Sequence, residues 1–184
     1  MTTISRSPIA RVGPLSPTHR ERVEEIVRST ERFSDDEVAV AVELFDESVD
    51  GLAYSSHENA PYVFLGAFTP DDELVGYACY GATPGTDRVF DLYWIAVDPG
   101  AQGSGGGTTL LSEVERRLRD VNARMLVVET SSRSGYEVTR RFYERRGYHE
   151  AARVRDFYAP SDDRVIYLKR FHARHGSGAG SEAR

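Results

Sequence analysis

The stretch Val97-Asp98-Pro99-Gly100-Ala101-Gln102-Gly103-Ser104-Gly105-Gly106-Gly107-Thr108 is the most informative part of this chain. It follows an apolar run at residues 89–97 that is typical of a strand, and it precedes a segment whose apolar residues recur at helical spacing. The first amides of a helix have no partner within the helix and carry a partial positive charge. Glycines at such a point let an anion approach the main chain closely, so the stretch predicts a phosphate-binding loop.

Two common phosphate-binding motifs do not fit this loop. A Walker loop that starts at Gly100 needs a lysine where the chain has Gly106. A dinucleotide fingerprint that starts at Gly103 places its third glycine at Thr108. Neither motif therefore accounts for the glycines.

The segments around the loop predict a mixed α/β fold, in the order helix pair, three strands, helix, strand, helix, two strands. A capping box at Ser34 begins the second helix, and Gly51 ends it. The predicted strands are 62–69, 74–83, 89–97, 125–130, 148–158 and 164–171, and the predicted helices include 18–29 and 136–146. This order favours one sheet covered by helices over a doubly wound parallel sheet. We expect one domain over residues 1–171 and a flexible tail at 172–184, which is rich in glycine and serine.

Composition and charge narrow the range of partners. The 184 residues carry 23 basic and 29 acidic side chains, a net charge of −6, so nucleic acid is not an expected partner. Lys169 is the only lysine, and Cys79 is the only cysteine, which is typical of a reducing compartment. No apolar run is long enough to cross a membrane, and the first residues lack the apolar core of a signal peptide. We therefore expect a cytoplasmic protein without a membrane partner, either a monomer or a homodimer.

Two motifs in this sequence resemble signatures of the GNAT (Gcn5-related) N-acetyltransferase family. Val97-x-Pro99 followed by Gln102-x-x-Gly105-x-Gly107 resembles the family's pyrophosphate loop. Phe142-Tyr143-Glu144-Arg145-Arg146-Gly147-Tyr148 resembles its second signature, an aromatic pair followed by a glycine and an aromatic residue. The resemblance extends over residues 9–171 and implies a mixed, mostly antiparallel twisted sheet of about seven strands, with helices on both faces. One position departs from the family: many members carry asparagine where this chain has Tyr136.

The resemblance implies an enzyme that transfers an acetyl group from acetyl-CoA directly to an amine, without a metal. In such enzymes the strand at 89–97 separates from its parallel neighbour at 125–130, and the pantetheine arm of acetyl-CoA enters the gap. Main-chain groups near Ile95, Ala96 and Val97 would pair with the arm. The diphosphate would be held by Gln102, Gly103, Ser104, Gly105, Gly106, Gly107 and Thr108. A module of the same fold that binds acyl-CoA without catalysis, as a sensor or partner domain, is the alternative.

The chemistry requires an acid for the departing thiolate and a base for the attacking ammonium. Tyr143 resembles the family's tyrosine general acid. Asp91 stands where histone acetyltransferases of the family place their base, and strand alternation would put it on one face with Tyr93, Ile95 and Val97. Glu129 on the neighbouring strand is the rival, and a water molecule bonded to a main-chain carbonyl is the third possibility.

The remaining charges give two further expectations. Arginines cluster on the last helix: Arg140, Arg141, Arg145 and Arg146. One of them could contact the 3′-phosphate of the cofactor, but arginines near a helix C-terminus complement its dipole and commonly face solvent. The second helix and the last turn are acidic, which favours a cationic amine as the acceptor. These residues are Asp35, Asp36, Glu37, Glu43, Asp46, Glu47, Asp50, Asp156, Asp162 and Asp163.

Overall fold

The computed structural model describes residues 8–51 and 62–171, which form seven strands and four α-helices. The strands are β1 Arg11–Pro14, β2 Val63–Phe68, β3 Leu74–Ala82, β4 Val89–Val97, β5 Met125–Ser131, β6 His149–Ala159 and β7 Asp162–Arg170. The helices are α1 Arg20–Ser29, α2 Asp35–Gly51, α3 Gly106–Asp120 and α4 Glu137–Glu144. The predicted tail at 172–184 lies outside the described residues.

All seven described strands form one sheet in the order β1-β2-β3-β4-β5-β7-β6. Only β4 and β5 run parallel, and every other neighbouring pair is antiparallel. The expected mixed, mostly antiparallel sheet is thereby confirmed. The sequence pattern did not reveal β1, because a four-residue strand that ends in Pro14 has too few residues for an alternating pattern. Its pairing with β2, from Arg11 opposite Phe68 to Pro14 opposite Leu65, defines it instead.

The helices cover both faces of the sheet, as expected. The face under α1 and α2 buries Val23, Ile26, Val27, Val38, Phe45, Phe64, Phe68 and Tyr77. The face under α3 and α4 buries Leu65, Leu110, Leu111, Val114, Leu118, Leu126, Val128 and Tyr143. Full burial of one such aliphatic or aromatic side chain contributes about 1.5–3 kcal/mol, so both cores stabilise the sheet between them.

The start of α2 has the predicted capping box. The Glu37 carboxylate accepts a hydrogen bond from the Ser34 amide at 2.8 Å, and the Glu37 amide donates to the Ser34 hydroxyl at 3.3 Å. The start of the first predicted helix differs slightly, because its first turn, Pro17–His19, is a 3₁₀ helix and α1 begins at Arg20. The connection between α1 and α2 consists of residues 30–34.

Candidate active site

A cleft opens in the middle of the sheet, where the two parallel strands separate. β4 and β5 pair only from Val89 opposite Met125 to Leu92 opposite Val128. Beyond that point β4 stays paired with β3, and β5 stays paired with β7. The gap between their carboxyl ends forms a cavity of about 740 Å³, a typical size for a cofactor or substrate site.

A β-bulge lies where the strands begin to separate. Cys79 of β3 pairs with Trp94 and the next residue, Tyr80, pairs with Leu92, so Tyr93 is an extra residue in β4. A bulge bends its strand and increases the local twist, which turns the end of β4 away from β5. It also shifts the alternation of side chains: Leu92 and Ile95 pack into the same core, although they are three residues apart.

The bulge changes the expected position of Asp91. Strand alternation predicted that Asp91 would share a face with Ile95 and Val97, and this prediction is wrong because the extra residue lies between them. The Asp91 carboxylate accepts a hydrogen bond from the Thr83 hydroxyl at 2.7 Å, and Asp91 does not line the described part of the cleft. Burial, and next the nearby Asp91 carboxylate, raise the pKa of Tyr93, which lines the cleft, to about 12.

The glycine-rich loop forms one end of the cleft. Gly103 and Gly105 have φ values of +80° and +90°, which glycine adopts without the steric cost that a Cβ brings. Gly105 is the N-cap of α3, and the first hydrogen bond of the helix runs from the Thr109 amide to the Gly105 carbonyl at 2.9 Å. The amides of residues 106–108 therefore have no partner within the helix, and these residues line the cleft.

Two of these glycines lie against neighbouring elements at distances that would still accommodate a Cβ. A Cβ on Gly106 would lie 3.4 Å from the Val97 side chain, and a Cβ on Gly107 would lie 3.4 Å from the Phe142 ring. At Gly105, by contrast, no described atom lies within 4 Å of the position that a Cβ would occupy. The first turn of α3 thus contacts β4 and α4 at ordinary van der Waals distance, and it also lines the cleft.

Most residues predicted to bind the cofactor line this cleft. They are Ile95, Ala96, Val97, Gln102, Gly103, Gly105, Gly106, Gly107 and Thr108. Ser104 does not line it, and its hydroxyl is buried without a hydrogen-bond partner among the described residues. The Gln102 side-chain amide donates to the Val97 carbonyl at 3.4 Å, which turns this side chain back towards the end of β4.

Tyr143 of α4 lies on the other side of the cleft. Its side chain is only 3% exposed and makes edge contacts with the rings of Phe142 and Tyr148, at centroid distances of 5.2 and 5.5 Å. Burial raises the pKa of the Tyr143 hydroxyl above its usual value, and the nearby charge of Arg146 opposes this shift. The hydroxyl therefore stays protonated at neutral pH, which is the state required of a proton donor.

Glu129 lies in the cleft at the end of β5, beyond the last pair between β4 and β5. One of its carboxylate oxygens accepts a hydrogen bond from the Arg164 guanidinium of β7. The side chain is 38% exposed, so solvent reaches the carboxylate. Of the two candidate bases, only Glu129 lines the described cleft.

Another part of the cleft is formed by contacts that sequence reasoning did not identify. The Tyr136 hydroxyl, before α4, donates to the Arg32 carbonyl of the α1–α2 connection at 2.6 Å. The Arg32 guanidinium in turn donates to the Gly135 carbonyl. These two bonds join segments about 100 positions apart in the chain, so no local pattern could reveal them. Phe33 and Glu37 also line the cleft.

The acidic residues predicted to attract an amine are spread over several surfaces. Asp35 and Asp46 of α2 form ion pairs with arginines of α1. Of the predicted set, Glu37 and Asp162 line the described cleft, and the Asp162 carboxylate is paired with an arginine at 2.9 Å. The side chain of Asp50 lies outside the described residues.

The described residues were also searched for metal-ligand clusters and for membrane-spanning helices. Within residues 8–51 and 62–171, no three histidine, cysteine or acidic side chains are grouped as metal ligands would be. None of the helices in those ranges is both long and apolar enough to span a bilayer.

Comparisons with solved structures agree with this architecture. A protein from Desulfovibrio desulfuricans assigned to the GNAT acetyltransferase family is 42% identical, with a TM-score of 0.77 over 87% of this chain and 96% of that one. An aminoglycoside 6′-N-acetyltransferase solved with coenzyme A is 16% identical, with a TM-score of 0.67 over 87% and 96%. The PaiA N-acetyltransferase from Thermoplasma acidophilum, also solved with coenzyme A, is 20% identical, with a TM-score of 0.66 over 88% and 98%. The last two show the fold alone.

The sequence itself carries the family signal. The model of the Acetyltransferase (GNAT) family matches residues 21–148, which include α1, the glycine-rich loop and α4. No curated protein matches the chain. That match spans more than half of the chain, and the Desulfovibrio structure is similar over 87% of it. This protein, with its separated parallel strands and glycine-rich helix start, is therefore a member of the GNAT acetyltransferase family.

Proposed function

We propose that this protein transfers an acetyl group from acetyl-CoA directly to an amine of a small molecule or peptide. The observation that carries the proposal is the continuity of the cleft: the gap between β4 and β5 leads without interruption to the open amides at the start of α3. An extended arm with a diphosphate at one end fits that shape. The coenzyme A bound to two structures of the same fold supports the choice of donor.

The donor would use main-chain groups for most of its contacts. The pantetheine arm carries amides, and the edge of β4 from Tyr93 to Val97 has no strand beside it in the gap. The arm can therefore bond to this edge as an added strand would. The diphosphate would accept hydrogen bonds from the amides of residues 105–108, where the helix dipole also favours negative charge.

Tyr143 would act as the general acid. The amine nitrogen attacks the thioester carbonyl carbon, the carbon–sulfur bond breaks, and the sulfur leaves as a thiolate. The Tyr143 hydroxyl would donate its proton to that sulfur and regain one from solvent. Its location in the cleft wall supports this role.

Glu129 is our proposal for the base that removes the proton from the attacking ammonium. It lines the cleft beyond the last β4–β5 pair, whereas Asp91 is bonded to Thr83 outside the described lining. Asp91 would act only through its effect on Tyr93 or through water. A water molecule bonded to a β4 carbonyl remains the third route.

A cationic acceptor remains our proposal for the amine. Glu37 lines the cleft and has no ion pair among the described residues, so its carboxylate favours a positively charged substrate. The other acidic residues lend less support than their number in the sequence implied, because several are already paired with arginines.

The experiment that tests the function combines binding with turnover. Calorimetry with acetyl-CoA measures donor binding, and a thiol-release assay with polyamines, aminoglycosides, amino acids and lysine peptides measures transfer. We expect binding together with thiol release that depends on an amine. Binding without release above background for any acceptor would favour the acyl-CoA sensor. Turnover of only neutral or anionic acceptors would contradict the cationic acceptor alone.

A further inference from the structure

Arg32, in the connection between α1 and α2, is one of three arginines that line the described cleft, with Arg133 and Arg146. The other two have partners. Arg133 is paired with the Asp162 carboxylate at 2.9 Å. Arg146 donates a hydrogen bond to the Thr108 hydroxyl, in the first turn of α3. By contrast, no described carboxylate lies within ion-pair distance of Arg32, so the cleft wall carries an unpaired positive charge there.

The segment before α4 holds the Arg32 side chain in place. The guanidinium donates a hydrogen bond to the Gly135 carbonyl, and its central carbon lies 5.7 Å from the centre of the Tyr136 ring. The Tyr136 hydroxyl donates back to the Arg32 carbonyl at 2.6 Å. Because these contacts restrain both the main chain and the side chain, Arg32 would lose little conformational entropy when it binds a ligand. Most N–H groups of the guanidinium have no partner among the described residues.

Glu37 places a negative charge near the same tyrosine. Its carboxylate accepts hydrogen bonds from the Ser34 amide at 2.8 Å and the Ser34 hydroxyl at 3.1 Å, and it has no ion pair in the described structure. Burial raises the pKa of the Tyr136 hydroxyl, and the charge of Glu37 adds to this shift. The charges of Arg133 and Arg32 oppose it. Arg32 and Glu37 thus lie close to one side chain without forming an ion pair with each other.

We propose that the acceptor is an amino acid, whose carboxylate is bound by Arg32 and whose ammonium group is attracted by the negative charge of Glu37. The inference rests on the proposed function, since it names the class of amine that the cleft takes. The amine is cationic, as proposed above, and the carboxylate is the added feature. Two unpaired charges of opposite sign in one cleft match a molecule that carries both signs.

The chemistry of Arg32 favours a carboxylate over a phosphate. A planar guanidinium offers pairs of N–H donors whose spacing fits the two oxygens of a carboxylate. A phosphate monoester carries a charge of about −1.5 to −2 at neutral pH, which a single arginine near a glutamate balances poorly. One carboxylate balances one guanidinium, so an amino acid fits the charges of this part of the cleft.

The test compares each common amino acid with its α-amide, which keeps the ammonium group and the side chain but has no free α-carboxylate. Thiol release with acetyl-CoA gives kcat and KM for both members of each pair. We expect at least one amino acid to be acetylated, with a kcat/KM roughly 10- to 100-fold above that of its amide, the scale of one charge-assisted contact. The difference should lie mainly in KM, because the carboxylate is bound equally in the ground state and the transition state.

The decisive variant is Arg32→Gln, with Arg28→Gln as the matched control. Arg28 is half-exposed, pairs with Glu24 and Asp35, and does not line the described cleft. We expect Arg32→Gln to lower kcat/KM for the amino acid to nearly that of its amide, while the value for the amide is nearly unchanged. Arg32→Lys should retain part of the preference, because it keeps the charge without the planar pair of donors.

The control should leave both substrates unaffected. Arg28→Gln should change neither kcat/KM by more than about twofold, since an exposed ion pair contributes little. Thermal unfolding without ligand checks that each variant is folded.

Four outcomes would contradict this inference or the proposal beneath it. Equal kcat/KM for the amino acids and their amides would overturn the inference. An equal loss for both substrates in Arg32→Gln would also overturn it, because the role of Arg32 would then be structural. Thiol release with polyamines, aminoglycosides or lysine peptides, but with no amino acid, would overturn it and leave the proposed function standing. No release with any amine would contradict the proposed function first, and the inference with it.

Discussion

At the scale of single residues, Tyr143 combines two properties that usually conflict. It is almost fully buried among aromatic rings, yet it lines the cleft in which a thioester would sit. Burial raises the pKa of this hydroxyl, which is protonated at neutral pH as that of an exposed tyrosine also is. A core tyrosine can therefore serve as a proton donor wherever the wall of a cleft passes through the core.

Replacement of Tyr143 by phenylalanine tests this role. We expect kcat to fall by about 10²-fold, the usual scale for the loss of one general acid, while the Kd for acetyl-CoA is nearly unchanged. Tyr167→Phe is the control for the loss of a nearby hydroxyl, since Tyr167 donates to Glu144 at 2.9 Å and does not line the described cleft. Equal rates for Tyr143→Phe and the unaltered enzyme would remove the acid role from this residue.

The identity of the base is also decided by single side chains. Glu129→Gln should lower kcat/KM by roughly 10- to 100-fold at neutral pH, because the amide cannot accept the proton. Asp91→Asn should have the smaller effect, because the bulge turns Asp91 away from the face of Ile95 and Val97. Both variants are compared in the thiol-release assay over a range of pH. A larger loss in Asp91→Asn would reverse the assignment, and small losses in both would favour the water-mediated route.

At the scale of elements, the connection between β4 and α3 depends on its backbone conformation. Gly105 has a φ of +90° and nothing described within 4 Å of its missing Cβ. Gly85, in the turn between β3 and β4, has a φ of +73° and is equally open, but it does not line the cleft. The two glycines therefore have similar left-handed backbone conformations in different places.

Alanine at each glycine separates strain from binding. Gly105→Ala and Gly85→Ala should each lower the free energy of unfolding by about 1 kcal/mol, because a Cβ is unfavourable at positive φ. Only Gly105→Ala should also weaken coenzyme A binding, by roughly tenfold, since its Cβ stands before the amides that would hold the diphosphate. Chemical denaturation and calorimetry measure the two effects. Equal coenzyme A affinity in both variants would contradict a phosphate site at this helix start.

The element scale also shows why α3 is stable apart from its open end. Glu113 accepts hydrogen bonds from Arg116 and Arg117, each at 2.8 Å, and the pair lowers its pKa to about 2. Because the pKa is lower in the folded state, the stabilisation is present above the unfolded pKa near 4.5 and is lost as the pH falls towards 2. These pairs lie beyond the first turn of α3 and do not involve its first amides.

This charge effect gives a pH-dependent prediction. Glu113→Gln should lower the free energy of unfolding at pH 7 by about 1 kcal/mol, after allowance for solvent screening, and the difference should shrink between about pH 4.5 and pH 2. Glu43→Gln, at an exposed position of α2, is the control. Urea denaturation at several pH values measures the difference, and a constant difference down to pH 2 would contradict the ion-pair explanation.

At the scale of the whole molecule, one sheet separates two cores. Phe45 of α2 is fully buried on one side and meets Phe64 edge to face at 5.2 Å, and Leu118 of α3 is buried on the other. The strands are shared by both cores, so we expect the two sides to unfold together. The cleft lies where this shared sheet is divided between β4 and β5.

Core truncations on each side test this coupling. Phe45→Ala should lower the free energy of unfolding by about 3–5 kcal/mol and Leu118→Ala by about 2–5 kcal/mol. In each variant the denaturation midpoints from circular dichroism and from Trp94 fluorescence should coincide, as expected for two-state unfolding. Separate midpoints in either variant would mean that the two sides unfold independently.

Local patterns in the sequence were sufficient for most of the elements. The capping box at Ser34, the apolar periods of α1 and α3, and the glycine after α4 depend on backbone preferences within a few residues, so each could be predicted from its own segment. The glycine-rich loop belongs to the same class, because its position between a strand and a helix is visible along the chain. These features, together with the resemblance to the family, were sufficient to predict the family and the mixed sheet.

Only the tertiary structure decided where those elements meet. The bulge at Tyr93 arises from the pairing of β4 with β3, and nothing within β4 marks it, so the orientation of Asp91 could not be read from strand alternation. The bond between Tyr136 and Arg32 and the approach of Arg146 to Thr108 join distant segments. Their positions follow from how helices pack across the sheet, and that packing depends on the whole chain at once.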